Sequence, residues 1–294
     1  MNTVNSPLQG LIVAAFGRQY EIELPDGRRI TGYPRGKKSV YACGDQVELE
    51  PASENQAQMF RALPRSSLLY RSDAWRQKLI VANATQLVLV VATEPSFSDE
   101  LLARALVAAE TEGLRSLIVL NKTDLAENLS VARGRLLPLL ELGYPVIELS
   151  ARQDASVLTR FLENQVSVLV GQSGMGKSTL VNALIPEAAA ATREISTALD
   201  SGKHTTTHAR LYRMGHGGVL IDSPGLQEFG LHHLTRGRIE QGFPEFRPYL
   251  PQCRFRDCHH LNEPGCAIKE AVSAGKIDSR RHELFLRMTG ESAV

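Results

Sequence analysis

A short apolar run rich in β-branched residues, Val166-Ser167-Val168-Leu169-Val170, leads directly into Gly171-Gln172-Ser173-Gly174-Met175-Gly176-Lys177-Ser178-Thr179. The run predicts a buried strand, Ser178 to Ile185 predicts the helix after it, and the loop between has the pattern Gly-x-x-x-x-Gly-Lys-Ser. This stretch limits the fold more tightly than any other, because strand, loop and helix must meet in that order with the loop backbone left open. Glycines let backbone N–H groups curl around phosphate oxygens, and the helix N-terminus adds partial positive charge. Lys177 has the reach to meet terminal phosphates, and the Ser178 hydroxyl suits a Mg²⁺ ligand. Residues 171–179 together read as the cradle of a nucleoside triphosphate.

Three segments surround this loop. From Leu8 to about Leu69, short alternating stretches are separated by turns: Leu11-Ile12-Val13, Tyr20 to Leu24, Ile30 to Tyr33, and Gln46 to Leu49. About five short strands in so small a span predict a closed β-barrel of the OB-fold kind over 1–70. Its basic loop Arg35-Gly36-Lys37-Lys38 suits either an RNA backbone or plain solvation. Arg71 to Lys78 reads as a linker. Over 71–229 strands and helices alternate: Gln86 to Ala92, a helix from Asp99 to Thr111 with Ser98 as N-cap, Ser116 to Leu120, a helix around Leu125 to Leu142, Pro145 to Leu149, and a helical Ala155 to Leu162. That alternation predicts an α/β domain with a mostly parallel sheet covered by helices on both faces. Ala188 to Thr207, small, polar and aperiodic, reads as mobile, and Ala209 to Ile221 as a hairpin. Beyond about Gly230, arginine, histidine and cysteine increase, and Asp278 to Met288 reads as a last helix, so 230–294 is expected to be mainly helical.

A phosphate loop alone does not choose the base. Asn121-Lys122-Thr123-Asp124, at the end of a predicted strand, does. A carboxylate at Asp124 can accept both the ring N–H and the exocyclic amine of guanine. Adenine has no such donor pair and would leave polar groups unpaired. Asn121 would brace the loop, the Lys122 stem would cover the base, and Ser150-Ala151 would supply a backbone N–H for the guanine oxygen. Asp222-Ser223-Pro224-Gly225 ends another strand; its carboxylate can hold Mg²⁺ through water, and the Gly225 N–H can touch the γ-phosphate. Thr206 or Thr207, after Lys203-His204-Thr205, is expected to reach the same metal. Guanine-reading residues thus precede the phosphate loop, the reverse of the ordinary order, which marks a circular permutation. The segment ending near Gly225 then feeds directly into the C-terminal part.

Near the C-terminus Cys253, Cys258, a histidine and Cys266 offer three thiolates and an imidazole, enough to close a tetrahedral Zn²⁺ shell of the structural kind. Either His259 or His260 fits the spacing. Cys43 stands apart and is expected to be simply buried. Arg254, Arg256, Arg280 and Arg281 suit RNA phosphates or a solvated face equally. The formal net charge of +1 carries no global signal for nucleic acid or membrane. No apolar run approaches a membrane span, and Met1 to Pro7 lacks a signal-peptide core, so a cytoplasmic chain is expected.

These motifs resemble those of the bacterial ribosome small-subunit-dependent GTPase A family. The resemblance runs over nearly the whole chain and includes Arg35-Gly36-Lys37, the phosphate loop, Gly202-x-His204-Thr205-Thr206-Thr207, Asp222-Ser223-Pro224-Gly225 and the cysteine cluster. It implies an N-terminal OB barrel, a permuted GTPase core, and a C-terminal zinc-binding domain with His260 as the fourth ligand. It also implies GTP hydrolysis with Mg²⁺, binding of the small ribosomal subunit and its rRNA, and a role in late maturation as a monomer. Leu226 stands where many GTPases place a water-orienting glutamine, so intrinsic turnover is expected to be slow. His204 is the candidate replacement, with a solvent-exposed loop histidine as the plain alternative. A second functional reading is a GTP-gated rRNA-binding checkpoint module in which hydrolysis only times release. A small-molecule phosphotransferase conflicts with the guanine motif.

Overall fold

The computed structural model of the chain describes residues 8–36, 40–72, 77–186, 188, 209–223 and 231–291. In the first segment the period-two alternation builds five strands: β1 (Leu8–Phe16), β2 (Gln19–Glu23), β3 (Arg29–Pro34), β4 (Gln46–Ser53) and β5 (Gln56–Ala62). Ile12, Tyr20, Ile22, Val47 and Met59 point inward and are buried together. β1 pairs with β2 and β4, β2 with β3, β3 with β5 in parallel, and β5 with β4, so the ring closes on itself. Closure leaves no strand edge inside the ring, which is the OB-type barrel expected.

β1 serves two structures. Past a register shift between Ile12 and Ala14, its residues Ala14 and Ala15 pair with β12 (Ala209–Arg213), and the barrel continues into the central sheet. That sheet holds β8 (Gln86–Ala92), β9 (Arg115–Asn121), β10 (Val146–Glu148), β11 (Val166–Val170) and β13 (Val219–Asp222) in the order β10-β9-β8-β11-β13-β12. The first five in that order are parallel, and β12 runs antiparallel to β13. All seven residues of β8 are buried, the signature of a central strand covered on both faces.

Both described ends of the stretch expected to be a linker, Arg71 to Lys78, lie in strands. β6 (Leu68–Ser72) and β7 (Gln77–Ala82) pair antiparallel. Leu69, Ile80 and Val81 of these strands are buried in the central core, whereas Arg71-Ser72 and Gln77-Lys78 are polar and carry no hydrophobic period to announce their pairing. Helix α1 (Asp99–Thr111) starts where expected, the Ser98 hydroxyl accepting from the Leu101 N–H at 3.3 Å. Helix α2 (Leu129–Glu141) begins one turn later than Leu125, because a 3₁₀ turn over Ala126–Asn128 comes first. Short helix α3 (Thr159–Leu162) precedes β11, and α4 (Lys177–Leu184) follows the phosphate loop.

The last segment is mainly helical, with α5 (Arg236–Gln241), α6 (Ala267–Ser273) and α7 (Ser279–Glu291). Phe243, Phe246 and Phe285 form its buried aromatic centre, with Phe246 5.0 Å from Phe243 and 5.1 Å from Phe285 between ring centroids. It docks on α1. Gly242 lies so close that an added Cβ would sit 2.7 Å from a Val107 methyl, and Arg247 pairs with Glu110 at 2.6 Å. Arg281 is buried, paired with Glu245 at 2.6 Å and lying 4.6 Å over the Phe243 ring. Its burial corrects both readings of Arg281, as an RNA contact and as part of a solvated face; Arg254, Arg256 and Arg280 are exposed. Among the described residues no helix is long and apolar enough to cross a membrane.

Candidate nucleotide site and metal centre

Asn121 ends β9, Ser150 follows β10, Gly171 follows β11 and Asp222 ends β13. All four therefore lie at the carboxyl edge of the parallel strands, where open α/β sheets leave a crevice for ligands.

The phosphate loop takes its shape from glycine. Gly174 and Gly176 have φ of 81° and 88°, left-handed values that side chains disfavour. A Cβ on Gly176 would also lie 2.3 Å from the Asn121 amide nitrogen, and one on Gly171 2.2 Å from the Val90 carbonyl oxygen. Lys177 turns back on the loop, its ammonium donating to the carbonyls of Gly171 and, at 2.8 Å, of Gln172. Burial lowers the Lys177 pKa, while Asp222 opposes the shift. Asp222 is raised by burial, with Lys177 pulling it down. A half-buried ammonium and a buried carboxylate of opposite charge thus face the same crevice. Ser173, Ser178 and Thr179 are exposed along the loop, whereas the Met175 side chain is buried beneath it.

The guanine-reading segments meet the phosphate loop through Asn121, which is buried. Its Nδ2 donates to the Met175 carbonyl and its Oδ1 accepts the Ala151 N–H, both at 2.9 Å. Of the backbone N–H groups of Ser150-Ala151, one of which is expected to face a guanine oxygen, that of Ala151 is engaged by Asn121. Ser150 is buried, and its carbonyl accepts from the Gln153 and Asp154 N–H groups, closing a tight turn. Lys122 holds a left-handed φ of 62°, with its carbonyl accepting from Thr93 Oγ1 at 3.0 Å and its ammonium donating to the Glu94 carbonyl at 2.7 Å. Asp124 is exposed, and no described residue pairs with its carboxylate. Thr123 lies partly buried between them.

Sequence reasoning missed three of these supports. Thr93 and Glu94 hold Lys122 from the end of β8, and Asn128 Nδ2 donates to Glu94 Oε1 at 2.8 Å. Gln172 Oε1 accepts the Ser98 N–H at 2.6 Å, fastening the phosphate loop to the start of α1. Threonine and glutamate after a strand carry no motif, and Gln172 occupies a variable position of the phosphate loop, so nothing in the sequence marks these contacts. His204, Thr205, Thr206, Thr207, Gly225 and Leu226, with most of the stretch from Ala188 to Thr207, lie outside the described residues, as does Lys37.

In the C-terminal segment the ligand atoms of Cys253, Cys258, His260 and Cys266 all lie within 4.8 Å of one another. His260 Nδ1 is 3.4 Å from Cys266 Sγ and 3.7 Å from Cys253 Sγ. A tetrahedral Zn²⁺ with ordinary Zn–S and Zn–N bonds sets its sulfur and nitrogen ligands about 3.6 Å apart. The donor set and its spacing fit such an ion. A left-handed φ of 57° turns His260 inward, and its other ring nitrogen lies 3.6 Å from Glu240 Oε1. His259 is exposed and faces Arg236 instead. The Glu263 carboxylate accepts its own backbone N–H and those of His259, Leu261 and Asn262, and these bonds hold it down to about 2 against the opposing effect of burial. Cys43, well away from this cluster, is fully buried with its thiol pushed up to about 12.

A phosphate loop on β11, with guanine-type loops on strands earlier in the chain, defines a circularly permuted P-loop GTPase. The family described as RsgA GTPase matches residues 62–232. The small ribosomal subunit biogenesis GTPase RsgA of Paraburkholderia xenovorans (strain LB400) is 55% identical over 294 residues, covering 97% of this chain and 93% of the relative. The protein of the same description from Burkholderia pseudomallei (strain K96243) is 53% identical over 97% of this chain and 92% of its own. The crystal structure of YjeQ from Thermotoga maritima superposes with a TM-score of 0.73 at 31% identity, covering 98% of this chain and 99% of that one. YloQ, described as a circularly permuted GTPase, gives 0.71 at 25% identity over 99% and 97%. The chain belongs to the RsgA GTPase family.

Proposed function

We propose that this GTPase binds the small ribosomal subunit and acts in its late maturation, hydrolysing GTP to GDP and phosphate with turnover stimulated by the subunit. The observation that carries the nucleotide half is Asn121, which ties the Asn-Lys-Thr-Asp loop, Ser150-Ala151 and the phosphate loop into one site. The subunit half is supported by full-length similarity to relatives named for small ribosomal subunit biogenesis. In this reading Asp124 accepts the two guanine donors, and its exposed, unpaired carboxylate is poised for them. Lys177 exchanges its loop carbonyls for phosphate oxygens, and Ser178 and Asp222 hold Mg²⁺, the latter through water. Bound Mg²⁺ supplies charge neutralisation on the phosphates.

His204, Thr206, Thr207 and Gly225 complete the site in the proposal, on the strength of their motifs alone. Cys253, Cys258, His260 and Cys266 hold a structural Zn²⁺, which would cross-link the knuckle that presents the exposed Arg254 and Arg256. The barrel, 1–70, and the zinc-binding segment, 230–294, flank the GTPase segment, 71–229, and meet rRNA. The protein works as a cytoplasmic monomer.

The deciding experiment measures GTP turnover with no subunits, with purified small subunits and with purified large subunits. Marked stimulation by small subunits alone is expected. Equal rates in all three would overturn the proposal, and nucleotide-dependent subunit affinity without rate stimulation would favour the checkpoint module.

A further inference from the structure

We propose that the outward face of β3 and β5 is a stacking platform for unpaired RNA bases, with Tyr33 and Phe60 as its rings and Arg35 as its phosphate contact. The proposal rests on the barrel's assignment to ribosomal RNA and adds which nucleic-acid form the barrel takes. The two strands pair in parallel with Tyr33 opposite Gln58, and Phe60 lies two residues further along the same face. Alternation confirms the direction: Ala57 and Met59 are buried, whereas Tyr33 is 41% exposed and Phe60 54% exposed. One strand spacing across and two residues along separates the rings by about 8 Å. Neither ring is needed in the barrel core, which Tyr20, Ile22 and Met59 already fill.

The charge pattern selects the occupant. The barrel's other described arginines are engaged: Arg28 with Asp26, Arg29 with Glu21, Arg61 with Glu48, Arg65 with Asp45, and Arg18 with the Gly36 carbonyl. Among the described residues no carboxylate pairs with Arg35, whose guanidinium lies 5.6 Å over the Phe60 ring. A cation on one side of an exposed ring leaves room for a base and a phosphate together. Glu50, opposite Gln58 on β4, borders the platform on the other side and repels phosphate there, so the backbone is steered past Arg35. Gln58, opposite Tyr33, and the Arg35 guanidinium over Phe60 border the two rings, so the surface lacks the continuous apolar area that a protein partner would bury. Duplex RNA has its base faces stacked internally and offers nothing to these rings.

The test uses the full-length chain with a non-hydrolysable GTP analogue, titrated into a labelled unstructured RNA and into an RNA duplex, read by fluorescence anisotropy. Phe60→Ala is expected to weaken single-strand binding by about five- to a hundredfold and leave duplex binding unchanged. Phe60→Trp should retain affinity, and Phe60→Leu should lose it as Ala does, because leucine keeps apolar area but has no π-face. Arg35→Gln should lower the salt slope by about one phosphate's worth. The platform is wrong if Phe60→Ala leaves single-strand affinity intact, if duplex binding falls equally, or if Phe60→Leu binds like the parent, as an apolar protein-docking patch would. Subunit-stimulated turnover of the unaltered chain is measured alongside. If it is present while the Phe60 variants bind RNA normally, only the platform falls. If it is absent, the functional proposal falls, and the RNA titrations still decide the platform.

Discussion

The side-chain amide of Asn121 donates to the carbonyl of Met175 across 2.9 Å, joining a residue at the end of β9 to one 54 positions later in the phosphate loop. The same side chain accepts the Ala151 N–H. Asn121→Ala therefore leaves a buried donor and a buried acceptor unpaired, each costing about 1–3 kcal/mol. Urea unfolding should show the loss, and calorimetric GTP affinity should fall roughly tenfold or more as the two loops lose register. Unchanged stability would show that the bond is not needed.

Asp124→Asn changes the base preference rather than the fold. The carboxylate is exposed, so stability should stay within about 0.5 kcal/mol of the parent. An amide has one acceptor and one donor, so it cannot take both guanine N–H groups but does match xanthine, which carries an oxygen where guanine carries its amine. Affinity for GTP should drop by roughly a hundredfold and that for XTP should rise, as hydrogen bonds to a charged group are worth about 1.5–3 kcal/mol each. Competition binding with GTP, XTP and ATP reads the outcome.

Metal removal separates the cysteines. With Zn²⁺ bound, all four thiols should resist alkylation in the native protein. After chelation Cys253, Cys258 and Cys266 should react, while Cys43, buried and pushed up to about 12, should react only on unfolding. Mass spectrometry of the alkylated protein counts them, and early modification of Cys43 would contradict the fold.

Asp222 supplies a pH-dependent term. Burial raises its folded pKa above the unfolded one, with Lys177 opposing, so ionisation costs stability. The cost is absent below the unfolded value, grows as pH climbs between the two values, and is complete above the folded value. Asp222→Asn removes it. The nucleotide-free variant should melt higher than the parent at neutral pH, should lose that advantage in acid, and should show no Mg²⁺-dependent stabilisation by GTP. Thermal scans across pH, with and without Mg²⁺-GTP, check each part.

Glu245 and Arg281 form a buried pair between the turn after α5 and helix α7. Glu245→Ala leaves a guanidinium buried without its partner and should cost about 3–5 kcal/mol. Chemical denaturation should show the loss, and a cost under about 1 kcal/mol would mean that water reaches Arg281.

The strands and helices that bury a face were legible because burial imposes a period: β8, β9, β11 and α1 all lie where their apolar patterns put them. The pairing of Arg71-Ser72 with Gln77-Lys78 was not, since polar residues held by backbone bonds at the ends of β6 and β7 leave no apolar pattern. Arg281 was misread for a related reason. Charge in a sequence signals a solvated or ligand-facing side chain, and only the position of Glu245 shows that this one is buried.

Residue types and their order along the chain were enough to mark the phosphate loop, the guanine-type loop, the three-cysteine cluster and the permuted order, because each motif depends on chemistry carried within a few neighbouring positions. Tertiary structure alone decided that Asn121 bridges Met175 and Ala151, that Gln172 accepts the Ser98 N–H, and that β1 is shared between barrel and sheet. Those relationships join positions far apart in the chain, and a hydrogen bond formed at about 3 Å leaves no trace in a sequence until folding brings its two ends together.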